Sequence, residues 1–144
     1  MASRDLHNNV HTVPLITPVA ARTDNTAIVS AIIDTAGYES CELVLVTGAN
    51  TDANATFAVL VEDGDNSALS DNAAVADAQL LGTEALAGFT YSDDGECRKI
   101  GYVGPKRYVR VTVTPTGNDS GNIFIAGVAL LGHPRNAPTA NPPQ

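Results

Sequence analysis

Apolar and polar residues alternate with a period of two along most of the chain, the signature of strands with one buried face. The pattern is clearest in residues 55–63 ("ATFAVLVED"), where Phe57, Val59 and Val61 share one face and Thr56, Ala58, Leu60 and Glu62 the other. It returns in residues 107–114, with Val109, Val111 and Val113 opposite Tyr108, Arg110, Thr112 and Thr114. Residues 27–34 ("AIVSAIID") and 38–47 ("YESCELVLVT") also read as strands, ending at "TAG" and "GANTDAN". Residues 97–103 and 107–114 flank "GPK", a Gly-Pro turn that predicts a hairpin of antiparallel neighbours. Residues 122–131 ("NIFIAGVALL") are apolar at both parities, which predicts a central strand covered on both sides. The Ala-rich stretch 66–85 breaks the alternation and predicts a long excursion over the sheet edge, with room for a helical turn within residues 73–81.

Short strands between Gly, Pro, Asn and Asp clusters predict an all-β fold, an antiparallel β-sandwich of jelly-roll-like topology. The sandwich is expected over residues 25–132. Residues 1–24, punctuated by Pro14 and Pro18, read as an extended N-terminal arm. Residues 133–144 ("HPRNAPTANPPQ") carry four prolines and read as a solvated, polyproline-like tail.

Composition narrows the function classes. With 144 residues, 44% of them hydrophobic and 17% charged, the chain can build one core of Val, Leu, Ile and Ala; tryptophan is absent. A net charge of −8 argues against direct nucleic-acid binding, which needs a basic surface. No run has the length of a secretory signal or a membrane span, so the expectation is a protein made in the cytoplasm without membrane contact. Cys41 and Cys97 lack metal-binding spacing and are expected to be reduced, buried thiols.

Against this acidity, residues 97–117 hold five of the eight basic side chains. They decorate an amphipathic ribbon with only Tyr102 and Tyr108 for stacking, so pairing with the protein's own carboxylates or with another subunit is the expected role. The loop "EDGDNSALSDN" places Asp63, Asp65 and Ser67 at alternating positions, as calcium loops do. Ala68 and Ala74, however, stand where such a loop needs Gly and Glu. Asp93, Asp94 and Glu96 are the only paired carboxylates for glycoside chemistry, and "SDDGE" is also ordinary turn chemistry. His7, His11 and His133 lie in the flanking segments, and no nucleophile-elbow, zinc-protease or phosphate-loop motif occurs. No catalytic residue, cofactor or metal is expected.

The phrases "RDLHNNV", "KIGYVGPKRYVRVTVTP" and "VALLGHPRNAPT", with the strand pattern between them, resemble the head decoration (cement) proteins of tailed phages over nearly the whole chain. The resemblance implies a non-enzymatic virion protein on the outer surface of the capsid, made in a bacterial host. Such a protein binds the major capsid protein lattice, as a homotrimer, and stabilises the head against internal DNA pressure. Contacts are then expected from the arm, through Leu6, Val13, Leu15, Ile16 and Val19, and from the basic ribbon, through Lys99, Lys106, Arg107 and Arg110. The alternative is a carbohydrate- or receptor-binding β-sandwich module of a phage tail or fibre, against which the scarcity of aromatics counts.

Overall fold

The structure is a computed structural model and describes residues 5–143; the first four residues of the expected arm and the last residue of the expected tail lie outside it. The described residues form eleven strands: β1 (Val10–Ile16), β2 (Ile28–Val29), β3 (Ile33–Asp34), β4 (Tyr38–Asn50), β5 (Thr56–Gly64), β6 (Ala73–Ala74), β7 (Leu80–Leu81), β8 (Phe89–Thr90), β9 (Cys97–Tyr102), β10 (Tyr108–Thr116) and β11 (Ile123–Pro134). One short α-helix, α1 (Glu84–Ala87), is capped by Thr83, whose side chain accepts from the Leu86 N–H, and 3-10 turns stand at His7–Asn9 and at Asp77–Gln79, the latter within the stretch expected to hold a helical turn.

Pairing is nested. β1 pairs with β11, β2 and β3 with β10, β4 with β9, and β5 with β6 and β8, all antiparallel. This is a long two-armed ribbon rolled up on itself, and it yields two sheets. The first runs β1-β11-β4-β9-β7, and the second runs β2-β10-β5-β6 with β3 and β8 attached to β10 and β5. The fold is thus an antiparallel jelly-roll sandwich, as the alternation predicts.

Between the sheets lies one core, in which Leu43, Leu45 and Ile100 of the first sheet meet Phe57, Val61, Val109, Val111 and Val113 of the second. Phe57 stacks on Phe89 with ring centroids 4.6 Å apart. For β5 and β10 the inward parities are the apolar ones read from the sequence. Residues 66–85 close one edge of the sandwich: β6 extends the second sheet through β5, and β7 extends the first through β9.

Four expectations are corrected. The predicted hairpin does not form, because β9 joins β4 in one sheet while β10 joins β5 in the other. A β9–β10 hairpin would put both apolar stripes on one sheet, whereas separate sheets bury Ile100 against the β10 valines. Residues 103–107 are instead the corner between layers. Gly104 lies so close to the Tyr102 ring that an added Cβ would sit 2.5 Å from it. The expected strand over residues 27–34 is divided into β2 and β3, since Ser30 turns its hydroxyl to accept from the Val111 N–H while Ala31 donates to Leu15 of β1.

Residues 10–16 are not an arm but an edge strand, with Leu15 and Ile16 in the core. The proline-rich tail is likewise tied down: the Thr139 N–H donates to the Asn8 carbonyl and its hydroxyl to that of Val10. Among the described residues, no helix is long and apolar enough to cross a membrane.

Candidate interaction surface

The two outer faces of the sandwich differ in chemistry. On the second sheet, Arg110 of β10 sits opposite Glu62 of β5 and donates from Nε at 2.9 Å; Asn72 and Thr112 also donate to that carboxylate. These donors, Arg110 first, hold the Glu62 carboxyl below its usual range. Arg107 makes a fork to Asp34 at 2.8 and 2.7 Å, and Lys106 pairs with Asp65. Arg98, on β9, reaches Asp93 at 3.1 Å and Glu96 at 2.8 Å. Four of the five basic side chains in the ribbon are therefore matched within the chain. Lys99 has no ion pair among the described residues.

The outer face of the first sheet is apolar. Val46, Phe124 and Val128 stand 41, 50 and 37% exposed there, beside Pro14 and Val44. Residues 122–131 were expected to be covered on both sides; among the described residues the outer side is covered only in part, where Ala140, Asn141 and Pro143 of the tail border Thr12, Val128 and Leu130. At the other end of this face the sheet is hollowed by glycine. Gly101 faces outward between Glu42 and Leu81, and a Cβ on it would lie 2.9 Å from Leu81 and 3.0 Å from Glu42 Oε2. A Cβ on Gly132 would lie 2.6 Å from the Ser40 hydroxyl.

The result is a groove of about 510 Å³ lined by Leu6, Val10, Leu81, Val103 and Leu130, with Asp5, Ser40, Glu42 and His133 among its polar groups. His133 adopts a left-handed backbone (φ 51°) and its ring nitrogen meets the Ser40 hydroxyl at 2.9 Å. Asp5 is occupied by the N–H and amide of Asn8. Glu42 has no such partner among the described residues. Burial raises its carboxyl above the ordinary value even though Lys99 opposes the shift from a diagonal position on β9.

The expected contact residues scatter across this geometry. Leu6 stands on the groove rim, 71% exposed, and Val19 is equally open, whereas Val13 is half-buried. Leu15 and Ile16 are inside the core and cannot touch a partner, a correction that follows from the pairing of β1 with β11. Lys99 lies on the apolar outer face; Lys106, Arg107 and Arg110 belong to the other sheet and its corner. Glu42, Leu81, Gly101 and Val103 were not singled out in the sequence. A signal existed in "CELVLV", where both parities are apolar but Glu42 interrupts one of them.

The remaining candidates are engaged structurally. Asp93 accepts from the Thr90 N–H, Asp94 from the Asn50 N–H, and Glu96 pairs with Arg98. In the acidic loop, Asp71 accepts from the Asp65 and Asn66 N–H groups, and buried Asp63 accepts from the Tyr102 hydroxyl at 2.7 Å. His11 stacks on Tyr38 at 5.6 Å, and His7 faces Asn141. Both cysteines are free thiols. Cys41 is buried, with its thiol pushed up to about 12 by desolvation, but Cys97 is exposed on β9 rather than buried as expected.

No protein-family model matches the sequence, and no curated relative does. Among solved structures, the chain is similar to the PBSX exported protein XepA, with a TM-score of 0.52 and 15% identity over 84% of this chain and 36% of that one. The likeness is one of fold. The chain spans about a third of that protein's length. Weaker superpositions include the structure of infectious bursal disease virus Gx strain, with a TM-score of 0.45, 15% identity, and 90% of this chain against 34% of that one. They also include the CBM35 from Cellvibrio japonicus Abf62, with a TM-score of 0.40, 15% identity and 89% of each chain.

Proposed function

We propose that this chain is a virion structural protein, a capsid decoration protein that binds the outer surface of a major capsid protein lattice and acts without catalysis. The observation that carries the reading is the bare apolar face of the first sheet. Val44 and Val46 of β4 and Phe124 and Val128 of β11 face outward, and among the described residues Val46, Phe124 and Val128 remain exposed; this patch is suited to a protein partner. The outer face of the second sheet carries the internally matched Arg110–Glu62 pair among Thr112 and Thr114, with Val29 and Leu60 as its exposed apolar residues. Support also comes from the resemblance of "KIGYVGPKRYVRVTVTP" and its flanks to tailed-phage decoration proteins. Homotrimeric assembly belongs to the same proposal, since several copies joined on a lattice gain avidity from modest single contacts.

The test is the copy number of this chain relative to the major coat protein in purified virions of its source. A fixed simple ratio is expected. A handful of copies per particle would favour a tail or fibre component, and absence from particles would overturn the proposal.

A further inference from the structure

We propose that the groove between Leu6, Leu81 and Val103 is the docking site for an aliphatic segment of a partner protein that carries one arginine or lysine, the cation seated on Glu42. The inference rests on the reading of the chain as a capsid-binding protein for the partner's identity, and on the groove alone for its chemistry. Leu6, Leu81 and Val103 stand 71, 59 and 53% exposed around it, enough apolar surface to accept aliphatic side chains. Among the described residues no Phe, Tyr or Trp presents an exposed face to it on which a sugar ring would stack, since Tyr102 beneath is only 4% exposed.

Charge complementarity selects the cation. The carboxylate of Glu42 lies across Gly101 at the groove wall, without a hydrogen-bond donor or ion pair among the described residues. A desolvated, unpaired carboxylate destabilises the free protein, and burial raising its pKa is the signature of that penalty. An incoming guanidinium or ammonium supplies the missing partner at the moment water is excluded. Lys99 sits one strand residue removed, paired with Val44 rather than with Glu42, and leaves the carboxylate free to receive it. Every other acid bordering the groove is already satisfied: Asp5 is held by Asn8.

The test is an amide NMR titration of the full chain with the peptide acetyl-Ile-Arg-Val-amide and its Gln counterpart. Saturating shifts are expected at Leu81, Gly101, Val103 and Leu130 with the arginine peptide, and binding at least several-fold weaker with the glutamine one. Glu42→Gln should abolish that preference while leaving the melting temperature unchanged or higher, which a merely structural carboxylate would not do. Leu81→Ser, at an exposed position, should weaken both peptides.

Equal binding of the two peptides, or no shifts at these amides, would overturn the proposal, as would displacement of the same amides by xylohexaose or another oligosaccharide. Because the titration uses no capsids, its failure leaves lattice attachment standing. Conversely, absence of the chain from virions leaves the groove's preference for a basic aliphatic segment intact.

Discussion

At the residue scale, the polar side chains that the sequence marks as loop chemistry divide into solvated groups and buried clamps. Asp52, in the turn "GANTDAN", reads as an exposed tip but is 2% exposed. It accepts from the N–H groups of Ser120, Asn54 and Asp119 and from the Ser120 hydroxyl, tying the β4–β5 turn to the β10–β11 turn. Gly121 permits this approach, since a Cβ there would lie 2.6 Å from the Asp52 nitrogen. Tyr102 does the same for the β9–β10 corner: its hydroxyl donates to Asp63 and accepts from the Lys106 N–H at 3.0 Å. Burial, reinforced by Asp63, raises the phenol's pKa, so the group stays a donor at any ordinary pH. Tyr102→Phe leaves Asp63 and the Lys106 N–H without their partner and should cost about 1–3 kcal/mol. Urea unfolding should show a lower midpoint at an unchanged slope.

At the element scale, the role of β1 changes what a truncation means. Val10–Ile16 pairs with β11 and contributes Leu15 and Ile16 to the core, so deletion of residues 1–20 would strip an edge strand and open β11. Such a deletion should abolish the cooperative thermal transition, and any loss of capsid attachment would then report unfolding. Deletion of residues 137–143 removes only the bonds of the tail to Asn8, Val10 and His7, and should leave that transition intact with a small shift. Calorimetry on the two variants separates the outcomes. Strand β1 was hard to read because Pro14 sits within it; the proline is tolerated on an edge strand, where its missing N–H faces away from the ladder. Strands β5 and β10 were legible because Phe57, Val59 and Val61, and Val109, Val111 and Val113, each keep one parity without interruption.

At the scale of the whole molecule, charge sets the response to pH and salt. Asp34, Asp52, Glu62, Asp71 and Asp93 all titrate below their ordinary values: Arg107 acts on the first, Arg110 on the third, and backbone N–H groups on the others. A carboxylate whose folded pKa is depressed stabilises the fold above its unfolded pKa, and that contribution is lost as pH falls through the folded value. Melting temperature should therefore hold through neutrality and drop below about pH 4. A scan by circular dichroism checks this, and an acid-insensitive melt would contradict it. Glu42 acts in the opposite sense: its raised pKa makes the carboxylate a slight destabiliser at neutral pH. With a net charge of −8, the chain should attach to a basic partner more weakly as ionic strength rises, measurable by sedimentation with capsids.

Sequence alone determined what is local: where the main strands run, which parity of β5 and β10 is apolar, and that the chain is all-β. Period-two alternation and turn chemistry act over a few residues, so they are readable without partners. Tertiary structure decided the rest. Whether "GPK" joins neighbours or turns a corner depends on β4 and β5, distant in the chain. Whether an apolar parity is core or open surface depends on how many layers the chain supplies, and here it supplies two, leaving Val46, Phe124 and Val128 exposed on the outer side of the first sheet. The groove exists only in the fold, where Leu6 and Val10 at one end of the chain and Leu130 and His133 near the other meet Glu42 of β4 and Leu81 of β7.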